Sequence, residues 1–274
     1  MPSRYRFHGQ AIAAGGRINH PFHEFIEIQA ALALPEIGGH GTAHSHDFRY
    51  RDILRFKHAY TEVTGAHATG PAGKPVHKSL IRARVEGLDI GGVVSADTVE
   101  ARLVSYTEED HEDEPCFKFA GSHFDNLKIA GVPVKVHLAC GVFDRLPRHA
   151  DLTKSYKDKG EFYAHYQKSS LKDSLKKAPD RVQQWFQQAP EKGGELPHVQ
   201  GVTSLSLVQS VEPERAEFKP WGHVVYIEGF GTIHLAEVSV SKLKRRLTMI
   251  HVNLGSPIDG DLELDAVDGN GSGW

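Results

Sequence analysis

Trp221-Gly-His-Val-Val-Tyr-Ile-Glu-Gly-Phe-Gly-Thr-Ile-His-Leu-Ala-Glu-Val-Ser-Val240, continued by Lys242-Leu-Lys-Arg-Arg-Leu-Thr-Met-Ile-His-Val-Asn-Leu-Gly-Ser-Pro257, is the densest run of β-branched and aromatic residues in the chain. Glycines punctuate it where a sheet must turn. The run reads as three strands, about 223–228, 232–241 and 246–254. Ile233 and Leu235 share one face, whereas Val238 and Val240 have the other parity, and Leu247 and Met249 switch against Ile250, Val252 and Leu254 in the same way. A bulge near Ala236-Glu237, inserting one extra residue, would reconcile the two parities. Phe230 between Gly229 and Gly231 marks a tight turn whose ring plugs the core.

Working outward, the same pattern recurs. Residues 4–14 and 24–34 read as the first strands. Gly38–Asp47 reads as a polar, glycine-rich loop, Phe48–Tyr60 as one strand with an imperfect position, and 66–76 as a connecting loop. Ser79–Tyr106 gives two strands around Gly87–Gly92, followed by an acidic loop at 108–114. Cys116–Phe119, His123–Ile129 and Val132–Val142 complete the first β block, with Ala130-Gly131 as a hairpin turn. Leu152, Tyr156, Phe162, Tyr163, Tyr166, Leu171 and Leu175 then take helical spacing, and Pro179-Asp180 opens a further short helix carrying Val182, Trp185 and Phe186. The expectation is a mainly β protein, an antiparallel β-sandwich or jelly-roll-like architecture with a helical insertion. Residues 1–147 form one β-rich block, 148–192 the insertion, and 193–274 a second block completing the same domain.

The 274 residues include 27 glycines and 14 prolines, which favours many short strands over long helices. A net charge of -3 argues against a dedicated nucleic-acid binder, which needs a basic surface excess. No apolar run is long enough to span a bilayer. The N-terminal residues lack the apolar stretch of a secretion signal. The expected location is the cytoplasm, or outside the cell by a route without a cleaved signal. Cys116 and Cys140 both fall in expected strands and read as buried free thiols, with pairing open only on export.

Val85–Leu103 and Ile227–Leu243 echo each other, aligning Ala96-Asp97 with Ala236-Glu237; a duplicated β unit and chance likeness explain this about equally. Val85-Glu-Gly-Leu-Asp-Ile-Gly-Gly-Val-Val-Ser-Ala-Asp-Thr-Val-Glu-Ala-Arg102, followed by Ser122-His-Phe-Asp-Asn-Leu-Lys-Ile-Ala-Gly-Val-Pro-Val134, resembles the bacterial β-rich choice-of-anchor surface proteins. The resemblance covers about residues 79–137 and departs from that family in showing no secretion signal or anchor. It implies a structural β module and carries no catalytic residue.

Histidine, at 18 residues, is the compositional anomaly. His44 and His46, two apart, would face one side of a strand, and His20, His23 or Asp47 could complete a zinc or iron site. Solvent-exposed loop histidines are the plainer reading. The run Lys242–Arg246 reads as a guard against edge pairing, with phosphate or an acidic partner as the alternative. No nucleophile elbow, Walker loop, dinucleotide fingerprint, His-Glu-x-x-His or Cys-x-x-Cys is present. The leading expectation is therefore a non-catalytic structural protein acting as a homo-oligomer or through a protein-binding surface. A metal-binding protein or metal-dependent enzyme at the N-terminal histidines is the second. A carbohydrate- or ligand-binding sandwich using Trp221, Phe230 and Trp274 is the third.

Overall fold

The structure, a computed structural model, describes residues 5–70, 73–108, 114–169, 178–185, 196, 202–215 and 218–272. It is mainly β, as expected: two antiparallel sheets packed face to face, with a small helical segment. The first sheet joins the chain's two ends. Its main path runs β11 (Thr203–Ser206), β14 (Gly231–Val240), β15 (Lys244–Leu254), β16 (Asp259–Ser272), β1 (Arg6–His20) and β2 (Glu24–Ala33), with β13 (Val224–Ile227) also paired to β14. The second sheet runs β12 (Val208–Pro213), β10 (Val132–Leu138), β9 (Lys128–Ile129), β6 (Val94–Glu108), β5 (Pro75–Ile90), β4 (Leu54–Thr69) and β3 (Gly39–Tyr50). Short strands β7 (Cys116–Lys118) and β8 (His123–Asp125) also pair with β6. Leu, Ile, Val and Phe from the inner faces form one continuous core.

The helices α1 (Cys140–Arg145), α2 (His149–Lys157), α3 (Glu161–Ser169) and α4 (Asp180–Trp185) lie between the two β-rich parts of the chain. Phe143, Leu152, Tyr156, Phe162 and Tyr166 carry their apolar stripes into the main core. On α3, His165 Nε2 lies 2.7 Å from the Ser206 carbonyl, at the point where the chain passes from β11 to β12. Cys140 opens a helix and Cys116 lies in a strand; both thiols are free. Leu171, Leu175, Phe186, Trp274 and most of the acidic run at 108–114 lie outside the described residues.

Several expectations change. Gly38–Asp47 is largely strand β3, not a loop; its inward positions are Gly41, Ala43 and Ser45, too small to register as apolar alternation. The single strand expected over Phe48–Tyr60 is broken by a turn at Arg51–Ile53, closed by Ile53 N–H donating to the Tyr50 carbonyl at 3.1 Å. Lys242–Arg246 does not guard an edge, because β15 is a central strand. Arg245 is in fact buried, with its guanidinium 4.9 Å from the centre of the Phe117 ring, and burial lowers its pKa to about 10.

The parity switch in the opening stretch has a different cause from a bulge. Leu235 pairs with Ile250 and Glu237 with Thr248, so the register runs through Ala236 with no inserted residue. Ala236 instead adopts a left-handed φ of 49°, turning its side chain inward beside Leu235. The device crosses the sheet. The row Ala236, Met249, Asp265, Ala13, Ala30 is left-handed on alternate strands, at Ala236, Asp265 and Ala30. A matching row, Asp47, Lys57, Gly87, Asp97, Asn126, crosses the second sheet and is left-handed at Asp47, Gly87 and Asn126. Each sheet thus carries a crease across which its faces exchange phase.

Candidate metal centre

In a regular strand His234 and Glu237, three residues apart, would point to opposite faces. The left-handed Ala236 brings them to the same face, the one turned away from the core, and His234 Nδ1 lies 3.1 Å from Glu237 Oε1. His223, just before β13, joins them, its Nε2 being 3.7 Å from the same oxygen. The donor atoms of His223, His234 and Glu237 all lie within 4.8 Å of one another. His223 and His234 are buried, while the Glu237 side chain is 30% exposed.

A second layer holds this group. His251, directly opposite His234 on β15, places Nδ1 2.9 Å from Glu237 Oε2 and Nε2 2.8 Å from Asp261 Oδ2. Thr232 Oγ1 lies 3.2 Å from His234 Nε2. Burial pushes the His251 imidazole down, but the two carboxylates outweigh it and raise its pKa to about 10, so it is an imidazolium at neutral pH. For His234 burial wins over the carboxylate and lowers the pKa, leaving a neutral ring able to act as a ligand. Burial pushes the Glu237 carboxyl up, yet the three surrounding imidazoles hold it well below the usual carboxylate range.

Two imidazoles and one ionised carboxylate on one side of a group are a donor set for zinc or for iron(II). Glu237 presents one oxygen to that side and has the other tied to His251, which Asp261 holds in turn, the outer-shell support that fixes a ligating carboxylate. Beyond Asp261 the face opens into a groove of about 360 Å³ lined by Ile12, Gly15, Gly16, Arg17, Phe25, Ile28, Asp261 and Glu263. The groove begins one imidazole ring away from Glu237.

The residues expected from the sequence lie elsewhere. His44 and His46 share a face of β3, as their spacing requires, and are joined by His58 of β4, so that all three donors fall within 4.8 Å. His20 closes β1 opposite Asp259, His23 lies in the turn before β2, and Asp47 sits in the crease; none is part of that group. Of the aromatics expected to build a ligand site, Trp221 packs beside Val224 with Ala178 and Val182 of the helical segment, and Phe230 covers Gly91 at the β5–β6 turn.

A family model described as a domain of unknown function (DUF8256) matches residues 5–241, most of the chain. The chain belongs to the DUF8256 family. The match takes in His223, His234 and Glu237 of this DUF8256 protein and stops short of His251 and Asp261. Neither the curated proteins nor the solved structures contain a match.

Proposed function

We propose that this protein binds a single transition-metal ion through His223, His234 and Glu237, with a coordination position left for water or a small ligand. The observation that carries the reading is the convergence of three donors within 4.8 Å on a side where Glu237 is braced from behind by His251 and Asp261. Three protein ligands and an open position are the arrangement in which a metal acts as a Lewis acid on bound water or a carbonyl. Phe25 and Ile28 in the adjoining groove favour a ligand with an apolar portion. Metal analysis of native protein, with titration of the chelator-stripped form by Zn²⁺ and Fe²⁺, tests it. One ion per chain, lost in His234→Ala, is expected; unchanged binding in that variant overturns the assignment.

Homo-oligomeric assembly remains a second reading, with one observation in its favour. Phe22, Phe25, Ile28 and Ile37, four of the six exposed large hydrophobic residues among those described, gather on and around β2. β2 ends its sheet among the described residues, so a second copy of the chain could pair along it and cover them. Light scattering on the native protein and on Phe25→Lys/Ile28→Lys separates the readings: a dimer that becomes a monomer supports assembly, and a monomer in both sinks it.

A further inference from the structure

We infer that His44, His46 and His58 form a separate surface site for a borderline transition cation of the Cu²⁺ or Zn²⁺ type, bound by three imidazoles. His46 and His58 face each other across the β3–β4 ladder with ring centres 4.6 Å apart, and His44 lies one outward position along β3. His44 Nδ1 and His58 Nε2 are 3.3 Å apart. Two nitrogens each about 2.05 Å from one tetrahedral ion are about 3.3 Å apart, so these donors already stand at the spacing of neighbouring ligands.

An outer shell gives the site its second support. His58 turns Nε2 toward His44, and its other nitrogen, Nδ1, lies 3.8 Å from Glu86 Oε2. Arg84 Nη2, at 2.6 Å from Glu86 Oε1, holds that carboxylate in turn. At metal sites a histidine commonly turns its second nitrogen to a carboxylate in this way, and Glu86 stands within ion-pair distance of His58 to serve as that outer-shell partner. No carboxylate enters the donor set itself. That selects against Mg²⁺ and Ca²⁺, which need oxygen ligands, and favours Cu²⁺ and Zn²⁺. His44 and His46 are exposed, so ions can enter directly from solvent. The groups share no residue with His223, His234 and Glu237, and either can exist without the other.

Chelator-stripped full-length protein titrated with Cu²⁺, followed by calorimetry and electron paramagnetic resonance, decides the matter. Glu237→Gln serves as the background in which the first-sheet group is disabled. One Cu²⁺ per chain with imidazole nitrogen splitting is expected there, and His44→Ala/His46→Ala in that background should weaken binding by about 100-fold or more. Glu86→Gln, which leaves every donor in place, should weaken it by about 10-fold or more. In the wild-type background the His44→Ala/His46→Ala change should remove one ion per chain whether or not the first-sheet group binds. Unchanged affinity and splitting in the double variant, or no binding at micromolar Cu²⁺ by a folded Glu237→Gln protein, overturns the inference.

Discussion

The two histidine clusters place the same side chain on the outward faces of the two sheets, but their surroundings differ. On the second sheet, exposed His44 and His46 meet His58, with a carboxylate only behind the ring. On the first, His223 and His234 are buried, and a carboxylate stands inside the group. Burial raises the cost of an unmatched charge, so in the first cluster the His251 imidazolium and the two carboxylates it contacts, Glu237 and Asp261, are committed together. The exposed cluster is under no such constraint, because water can solvate each ring. One cluster is integral to the fold, and the other is mounted on it.

The sharpest way to break that contrast is to remove Glu237. Glu237→Gln takes away one of the two carboxylates that hold the His251 imidazolium, and the charged partner shared by His223 and His234. It should cost about 2–3 kcal/mol in metal-free protein by urea denaturation, the buried-pair cost discounted for partial exposure and for the Asp261 contact that remains. His46→Ala, its counterpart on the open face, should cost less than about 0.5 kcal/mol. Equal costs would mean that the buried set is not the integral one.

Between these extremes lies the crease that creates the first cluster. Ala236→Val should destabilise by about 2 kcal/mol or more, since a β-branched residue fits a left-handed backbone poorly, whereas Ala236→Gly should be neutral or stabilise by up to about 1 kcal/mol. If Val is tolerated as well as Gly, the left-handed residue is not what brings His234 and Glu237 together. Asp265, in the same row and fully buried, lets the crease be probed by pH. Burial, reinforced by the charge of Glu100, holds its carboxyl well above the usual range, against the nearby Val85 backbone and Arg84. Its folded-state pKa exceeds the unfolded value near 3.9, so the folded form holds the proton more tightly and stability falls as pH rises from about 4. Asp265→Asn keeps a residue that tolerates the left-handed conformation and should stabilise by about 1 kcal/mol or more near neutrality, with little gain at pH 4. A gain that does not grow between pH 4 and 7 would show that the carboxyl is not buried in this way.

Much of the fold was legible because burial writes itself into spacing. The strands over 223–254, the helical segment around 148–185 and the hairpin at Ala130-Gly131 all follow from apolar periodicity and turn residues. β3 was not, since its inner positions are glycine, alanine and serine, and β16 was missed in a run of acidic and glycine residues. His44 and His46 could be paired from their spacing, but His58 could not, because cross-strand register belongs to the hairpin. The first cluster was hidden differently. Its parity switch is visible in the valines and leucines around Ala236, and a bulge or a left-handed residue would equally turn His234 and Glu237 to one face. That the left-handed Ala236 makes the switch, and that His223 meets the pair from outside the strand, is written only in the backbone.

The crease also offers a way to sort related sequences by one position. A relative with histidine and glutamate at the positions of His234 and Glu237, but valine or isoleucine at the position of Ala236, would keep the residues and lose their meeting. One with glycine or asparagine there would keep both. The residue to read first in this family is therefore a small one that binds nothing.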